Sequence, residues 1–354
     1  MVNIRLFLKS ARNLKVATET RLNRALGREF IPARRQCLGI ETSSICNLNC
    51  HFCAYPKKSS PRVVMSNDFF RSCVEQALDL GYQMVDLTPC TGDVFMDRKI
   101  LEKLAYLDEN PRVRGYSFHT NFTVPRRHDI DRIVRLKKFT DLHISVYGHD
   151  RDSFVALTQG PRKLYDRLVY NLEYLFTQTR NSALPVNFAF HTAAKSLRGK
   201  RSALIDVLKR FARAGASVQV QKRLYNNWGG LVTAEDVKHL PITVLGPDAI
   251  HKNGACVRLF NQIQIMATGI VNGCACRDAD ATLRLGDLRR APLKDIVSAR
   301  NPDYMALIDE QQAGNFRPVC RSCDFYSSIY HKGKSYRKAG TELQTLAEFK
   351  ASIL

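Results

Sequence analysis

Three cysteines stand close together early in the chain, at Cys46, Cys50 and Cys53, in the spacing C-x3-C-x2-C. Thiolate sulfur is the ligand that iron–sulfur clusters take, and one loop with this spacing can hold three irons of a four-iron cluster. The fourth iron then lacks a protein ligand, and an open coordination position is where a metal site performs chemistry. The spacing therefore predicts a catalytic iron–sulfur site. The alternatives are a structural metal site or three buried thiols.

A second group of cysteines lies towards the C-terminus, and a hairpin brings part of it together. Alternating apolar residues lead through Ile263 and Ile265 to a turn at Thr268-Gly269, which predicts a β-hairpin with cysteines at its ends. Zinc and a four-iron cluster take the same thiolate ligands, so ligand type alone leaves both open. The expected ligands of this second site are Cys256, Cys274, Cys320 and Cys323.

The remaining cysteines have less definite roles. Cys276 is a spare thiol beside the second set: an alternative ligand, a hydrogen-atom donor near a substrate, or a buried residue. Cys37, Cys73 and Cys90 fit buried small hydrophobic residues. With eleven cysteines and no signal peptide, the chain is expected in the cytosol, where cysteines more often bind metals than form disulfides.

The elements that must position these cysteines alternate between strands and helices. Six alternations predict parallel strands with crossover helices, and six are too few for a closed eight-fold barrel. We therefore expect an open, partial α/β barrel whose first cysteine loop follows the first strand, where such folds place their chemistry. Strand patterns occur at 38–42, 84–88, 115–120, 142–147, 186–191 and 218–221, and helical patterns at 66–81, 98–109, 129–138, 162–179 and 202–215.

The N-terminal segment is basic, with nine Lys or Arg against two Glu in residues 1–36. Ile4, Phe7, Ala11 and Leu14 recur at helical spacing, which predicts a helix packed over the bottom of the barrel. The alternative is a basic amphipathic helix that lies on a membrane surface or docks a partner.

Strand–helix alternation stops after Gly230, which indicates a domain boundary between about 230 and 250. The expected units are a basic N-terminal helical extension at 1–36, the barrel at 37–235, a small α+β cluster domain at 236–330 and a basic C-terminal helical tail at 331–354.

Composition narrows the class of protein. Apolar residues at 45% and charged residues at 25% are typical of globular domains, and no apolar run is long enough to span a membrane. The net charge of +21 favours phosphate-bearing or otherwise acidic partners. An iron–sulfur or zinc module that binds nucleic acid is an alternative, but the charge is spread along the chain and no RNA-binding signature occurs.

The first cysteine loop, with Phe52 in the aromatic position of C-x3-C-x-aromatic-C, resembles the signature of the radical S-adenosylmethionine (SAM) enzymes. In that family SAM chelates the open iron of a 4Fe–4S cluster, and its reductive cleavage releases a 5'-deoxyadenosyl radical that takes a hydrogen atom from the substrate. The resemblance implies a partial (β/α)6 TIM-like barrel.

Three segments at predicted strand ends resemble that family's SAM-binding motifs. Thr91-Gly92-Asp93 is similar to its Gly-Gly-Glu, with Thr for the first Gly and Asp for Glu. Thr120-Asn121 is similar to its Thr-Asn-Gly, with Phe122 in place of Gly. Ser145 corresponds to the Ser of its Ile-Ser-Leu-Asp-Gly. The resemblance implies that Asp93 and Ser145 hold SAM.

The segment Cys256-x12-Gly269-x4-Cys274 resembles the opening of the SPASM domain that follows many radical SAM barrels. No cysteine follows Cys323, which resembles the shortened Twitch form with one auxiliary 4Fe–4S cluster. The loop that contains Trp228 also resembles the segment before such domains. The implied cofactors are therefore a catalytic 4Fe–4S cluster, SAM and an auxiliary 4Fe–4S cluster.

The resemblance implies either oxidation of an alcohol carbon or epimerisation in a sugar- or cyclitol-like molecule, with Cys276 as the thiol that returns hydrogen. Oxidation also needs a base, for which Arg223 or His191 is the candidate. The alternative enzyme is a maturase of a ribosomally made peptide. Expected partners are an external reductant such as flavodoxin or ferredoxin and a substrate that is phosphorylated or linked to a nucleotide or lipid, with peripheral membrane contact if the first helix lies on a membrane.

Overall fold

The computed structural model describes residues 2–33, 37–179, 182–333 and 342–354, with the backbone alone for residues 2–12 and 248. In these ranges the helices are α1 Val2–Ala25, α2 Asn67–Asp79, α3 Ile100–Glu109, α4 Arg127–Ile133, α5 Arg151–Thr158, α6 Arg162–Thr179, α7 Ala203–Arg213, α8 Arg258–Asn261, α9 Leu293–Ile296, α10 Pro302–Gln312, α11 Pro318–Ser322 and α12 Leu346–Ser352. The strands are β1 Ile31–Pro32, β2 Leu38–Ile40, β3 Met84–Asp86, β4 Gly115–Thr120, β5 Phe139–Tyr147, β6 Val186–Thr192, β7 Ser217–Lys222, β8 Leu224–Tyr225, β9 Thr243–Val244, β10 Gln264–Ile265, β11 Ile270–Asn272, β12 Arg284–Asp287 and β13 Leu343–Gln344.

Six parallel strands form the wall of the barrel. Across the described residues the main sheet runs in the order β12-β11-β10-β2-β3-β4-β5-β6-β7, and the neighbours from β2 to β7 are all parallel. Helices α2 to α7 lie between these strands in the sequence. Each of the six predicted strands overlaps an observed one, and the predicted partial (β/α)6 barrel is confirmed.

The inner face of the barrel is polar, as β5 shows. Leu142, Ile144 and Val146 are fully buried, whereas the alternate residues Asp141 and His143 are half-buried. Successive side chains of a strand point to opposite faces, so one face packs against the helices while the other faces the barrel interior. The interior is therefore available for polar chemistry.

The hairpin β10–β11 continues the barrel sheet. β10 pairs in parallel with β2, and Gln264 lies opposite Gly39. A side chain at Gly39 would collide with the Gln264 amide. The predicted hairpin is confirmed, and its pairing with the first barrel strand shows that the C-terminal cysteines are attached directly to the edge of the barrel.

Helix α2 begins and ends where its sequence signals indicated. The Ser66 hydroxyl accepts a hydrogen bond from the Phe69 amide at 3.4 Å and caps the helix. Gly81 follows the last turn with φ +86°, a conformation that favours glycine. Phe70 and Cys73 are fully buried on the inner face, so the prediction of Cys73 as a core residue is confirmed.

The N-terminal helix packs on the cluster domain instead of the bottom of the barrel. The Asn23 amide donates to the Tyr330 carbonyl at 2.9 Å, and Arg24 donates to the Gln312 carbonyl at 2.7 Å. Of the predicted apolar face, Leu14 is 70% exposed, and the side chains of Ile4, Phe7 and Ala11 lie outside the described residues. The predicted position of this helix was wrong because Ala17, Thr20 and Asn23 form its buried face, and Asn23 bonds across to the cluster domain.

Two further differences concern the helices. Helix α5, which follows β5 and is capped by the Asp150 carboxylate, is absent from the predicted helical patterns. The segment from Leu293 to Gln312 forms two helices rather than one, because Asn301-Pro302 starts α10 anew. In the C-terminal tail, Phe349 of α12 packs against Phe260 at 4.8 Å between ring centres; residues 334–341 of the predicted tail lie outside the described residues.

Candidate active site

The loop with the first three cysteines is anchored from two sides. The Asn49 and His51 amides donate to the carbonyls of Thr158 and Leu157 at 3.1 and 3.2 Å, at the C-terminal end of α5. On the other side the Asp93 amide donates to the Ile45 carbonyl at 2.8 Å. These backbone contacts fix the loop at the end of β2 independently of any bound metal.

Gly92 allows the segment after β3 to approach the cysteine loop. Its φ is +142°, and a Cβ atom there would lie 2.6 Å from the Ser43 carbonyl oxygen. This close approach explains why the second position of the Gly-Gly-Glu-like motif is glycine in this chain.

A cavity of about 580 Å³ opens at the end of the barrel. This volume lies within the range of small-molecule sites. The residues that the sequence assigned to the catalytic cluster and to SAM all line it, namely Cys46, Cys50, Cys53, Phe52, Thr91, Gly92, Asp93, Asn121 and Ser145. The structure thus brings together residues from the ends of four different strands.

Asp93 joins three of these segments. Its carboxylate accepts hydrogen bonds from the Thr120 hydroxyl at 2.9 Å, the Asn121 amide at 2.7 Å and the Phe95 amide at 3.0 Å. Burial raises the pKa of Asp93 to about 6, although these hydrogen bonds oppose the rise. At neutral pH the side chain is therefore mainly a buried carboxylate, which suits a cationic group in the cavity.

Two further groups at this wall, Thr91 and Asn121, provide a test of whether SAM fits. The Thr91 hydroxyl is buried and has no hydrogen-bond partner among the described residues. Asn121 directs its amide towards the Cys46 sulfur at 4.0 Å and the Asn47 side chain at 2.9 Å. An anionic carboxylate, an unpaired hydroxyl and thiol ligands therefore share one wall, so these residues fit a cofactor with an ammonium group that binds beside a cluster.

Phe52 closes the floor of the cavity with other aromatic residues. Its ring lies 4.6 Å from Tyr225 and 5.2 Å from Tyr147. The Phe52 carbonyl accepts a hydrogen bond from the Trp228 indole at 2.9 Å. The aromatic position of the cysteine motif therefore contributes both to the apolar floor and to the attachment of the loop that precedes the cluster domain.

A polar wall faces the cysteine loop, and sequence reasoning missed it. The Thr88 hydroxyl donates to Asp86 Oδ1 at 2.5 Å and lies 3.0 Å from His119 Nδ1. Asp86 Oδ2 accepts no hydrogen bond from the described residues, and burial raises the pKa of Asp86. Desolvation, followed by the charges of His143 and His191, lowers the pKa of His119 to about 3, so its imidazole is neutral. All three residues line the cavity.

The two bases suggested by the sequence lie in different environments. His191 lines the cavity with its Nδ1 buried and unpaired among the described residues. Burial lowers the pKa of His191 to about 4. Arg223 does not line the cavity; its guanidinium donates to the Pro241 carbonyl at 2.6 Å. The structure therefore keeps His191 at the site and places Arg223 away from it.

The five C-terminal cysteines surround a second, smaller cavity. The Gln311 amide donates to the Cys320 sulfur at 3.3 Å, and the Phe325 amide donates to the Cys323 sulfur at 3.2 Å. The thiols enclose a space, and hydrogen bonds to their sulfurs are a feature of cluster sites, so these residues fit an iron–sulfur cluster.

Cys276 lines both cavities, whereas Cys256, Cys274, Cys320 and Cys323 line only the smaller one. Cys90 also lines the large cavity, and Cys37 lies at its edge beside Asp86. Burial raises the pKa of Cys46 to about 12 and of Cys274 to about 11. Without metal both side chains are therefore protonated thiols, and binding of a metal there would release their protons.

Family comparisons agree with this division of the chain. The model described as the radical SAM superfamily matches residues 40–184, and the one described as an iron–sulfur cluster-binding domain, SPASM, matches residues 256–324. No curated protein sequence matches.

Solved structures share the fold at low sequence identity. SuiB of Streptococcus suis bound to precursor peptide SuiA has a TM-score of 0.54 at 15% identity, over 88% of this chain and 77% of that chain. BtrN in complex with AdoMet and 2-DOIA has a TM-score of 0.51 at 13% identity, over 83% of this chain and 94% of that chain. None of the helices in the described ranges has the length and apolar character needed to cross a membrane.

Proposed function

We infer the reaction from one premise: the chain belongs to the radical SAM superfamily and carries a SPASM-type iron–sulfur domain behind its barrel. We propose that it oxidises an alcohol carbon of a polyhydroxylated small molecule of the sugar or cyclitol class. The enzyme's cofactors are a catalytic 4Fe–4S cluster, SAM and an auxiliary 4Fe–4S cluster. When bound, they supply a 5'-deoxyadenosyl radical that removes a hydrogen atom and an acceptor for the electron that follows.

The proposed roles of the chain's residues follow the two cavities. We assign Cys46, Cys50 and Cys53 to the catalytic cluster, and Cys256, Cys274, Cys320 and Cys323 to the auxiliary cluster. We assign the SAM contacts to Phe52, Thr91, Gly92, Asp93, Asn121 and Ser145. The division between barrel and cluster domain near residue 236 is part of the same proposal, as is an external reductant of the flavodoxin or ferredoxin kind.

The observation that carries the proposal is the polar wall of the large cavity. A substrate in this cavity lies between the catalytic cysteine loop and Cys276, with Asp86 and His119 facing it. Hydroxyl groups suit such a wall because no described residue donates to Asp86 Oδ2 and the neutral His119 ring has a second polar atom.

Oxidation of an alcohol releases a hydroxyl proton, and Asp86 is the proposed acceptor. Its raised pKa makes it a stronger base than an ordinary aspartate while it is ionised. Thr88 holds Oδ1 through both its amide, at 2.9 Å, and its hydroxyl, at 2.5 Å, which leaves Oδ2 for the substrate. His191 has a lowered pKa and is the weaker candidate.

Epimerisation is the second candidate, because Cys276 lies in the wall shared by the two cavities. Burial raises the pKa of Cys276, so an unligated Cys276 is a protonated thiol with a hydrogen atom to donate. If epimerisation is the reaction, Cys276→Ala stops turnover to product while hydrogen abstraction from the substrate continues.

The test uses the reconstituted protein under anaerobic reducing conditions with SAM and a panel of polyols deuterated at carbon. Oxidation predicts deuterium in 5'-deoxyadenosine and a product that lacks two hydrogens. Epimerisation predicts that, with unlabelled polyols in D2O, the isomer carries solvent deuterium at the inverted carbon. SAM cleavage that is coupled only to a peptide, with no transfer from any polyol, would overturn both and support the peptide maturase.

A further inference from the structure

Three side chains fill the space between the two cysteine sites: Trp228, Arg277 and Phe325. The Trp228 indole donates to the Phe52 carbonyl, which lies in the C-x3-C-x2-C loop, at 2.9 Å. The Phe325 amide donates to the Cys323 sulfur at 3.2 Å. Trp228 is therefore attached to the first site, and Phe325 is attached to the second.

Arg277 lies between these two aromatic rings. Its guanidinium carbon is 5.4 Å from the centre of the Trp228 ring and 4.4 Å from the centre of the Phe325 ring. Its Nη1 atom donates to the Cys276 carbonyl at 2.6 Å, and its side chain is only 11% exposed. A cation held between two aromatic faces is stabilised by both, so its position is well defined.

The charge of Arg277 is only partly balanced by protein groups. Asp324 Oδ1 lies 3.5 Å from Arg277 Nε, and the two atoms have no hydrogen-bond partner among the described residues. Asp324 directs its other oxygen to the Asn227 amide at 3.0 Å. In a buried site of low dielectric, a cation with such a loose carboxylate contact has a strong field at neighbouring groups.

Both sets of thiols lie near this cation. Arg277 lines the large cavity together with Cys53 and the smaller cavity together with Cys323. The Trp228 ring on one side of its guanidinium donates to the carbonyl of Phe52, the residue before Cys53. The ring on the other side belongs to Phe325, two residues after Cys323.

We propose that Arg277 couples the two cluster sites electrostatically, stabilising negative charge at both and raising both reduction potentials. A nearby cation favours the reduced form of a cluster because reduction adds negative charge. Arg277 thus acts through its charge, as a positioning residue for electron flow. The proposal rests on the two ligand sets proposed above and on no assumption about the substrate.

The test is a redox titration of the reconstituted full-length protein, with both clusters followed by electron paramagnetic resonance. Arg277→Met is expected to lower both midpoint potentials, and Arg277→Lys, which keeps the charge, to restore most of the shift. Arg284→Met is the control, because Arg284 lines neither cavity and pairs with Asp287 at 3.1 Å, and it is expected to leave both potentials unchanged. Asp324→Asn removes the opposing charge and is expected to raise both potentials.

Each result decides the matter. A shift of the auxiliary potential alone in Arg277→Met, or of neither, shows a structural role and overturns the coupling. If Arg277→Met does not retain about eight irons per chain, Arg277→Lys and Asp324→Asn decide, and unchanged potentials in Asp324→Asn contradict the proposal. If the proposed ligand sets are wrong, replacing the cysteines of one set by alanine leaves the iron content unchanged. Iron analysis would show this before any redox titration.

Discussion

Asp86→Asn is the most informative substitution for the proposed oxidation. Asparagine has nearly the same shape, and its oxygen can still accept the two hydrogen bonds that Thr88 donates to Oδ1. The replaced atom is Oδ2, the one that accepts no hydrogen bond from the described residues and faces the cavity. The variant therefore removes the proposed base with little change in the wall.

The expected loss is large because general-base catalysis contributes about 10²- to 10⁴-fold. The loss should appear in kcat, with KM changed little, since the hydrogen-bonding shape is kept. Burial raises the pKa of Asp86, so the native protein disfavours the ionised form, and its stability falls as pH rises through that pKa. Asp86→Asn removes this cost, and its melting temperature at neutral pH should equal or exceed that of the parent.

The pH profile provides a second readout. Asp86 accepts a proton only when ionised, so the rate of the parent enzyme falls as pH falls through the Asp86 pKa, at a higher pH than for an ordinary aspartate. In Asp86→Asn that limb should disappear.

Asp141→Asn is the matched control. Asp141 accepts from the Asn187 amide at 2.7 Å, lies 2.8 Å from His143 Nε2, and does not line the cavity. An Asp86→Asn enzyme that keeps product formation within tenfold of Asp141→Asn, or keeps the acid limb, would refute the assignment of Asp86 as the base.

Further predictions concern packing and metal content. Gly39→Ala forces the buried Gln264 amide to move and should cost about 1–3 kcal/mol of unfolding free energy in denaturant titration; Gly246→Ala, where the added methyl meets no atom within 4 Å, should be nearly neutral. Phe122→Ala removes a fully buried ring and should cost about 3–5 kcal/mol, and a cost near zero would contradict its close packing. Replacing all three cysteines of the C-x3-C-x2-C loop by alanine should leave about four of eight irons, whereas Cys73→Ala should keep all eight.

Local patterns were sufficient to predict the barrel. The α6 bounds of Arg162–Thr179 and the β4 bounds of Gly115–Thr120 match the sequence patterns because apolar periodicity and flanking turn residues agree there. The position of α1 could not be predicted in this way. Its buried face is defined by Asn23 and its partner Tyr330, which are about three hundred residues apart in the sequence.

The candidate site likewise has a part that local sequence patterns predict and a part that they do not. Cys46, Cys50 and Cys53 lie within eight consecutive residues, so their spacing is visible without a structure. The polar wall is not, because Asp86 and His119 lie on neighbouring strands and become partners only through Thr88 and the register of β3 and β4. Polar residues at alternate positions of β4 and β5 were the available signal, since a filled barrel would have apolar residues there.

The junction between β2 and β10 has a consequence for specificity. Because the hairpin extends the barrel sheet, one continuous sheet connects β3, which ends at Asp86, with β11, which precedes the loop that contains Cys276. Gln264, at the junction, lines the cavity and directs its amide to the Thr88 carbonyl at 3.4 Å, so it joins the wall that holds Asp86. A substitution at Gln264 should therefore change which hydroxyl of a polyol meets Asp86, and product analysis with Gln264→Leu should show altered regioselectivity before it shows loss of SAM cleavage.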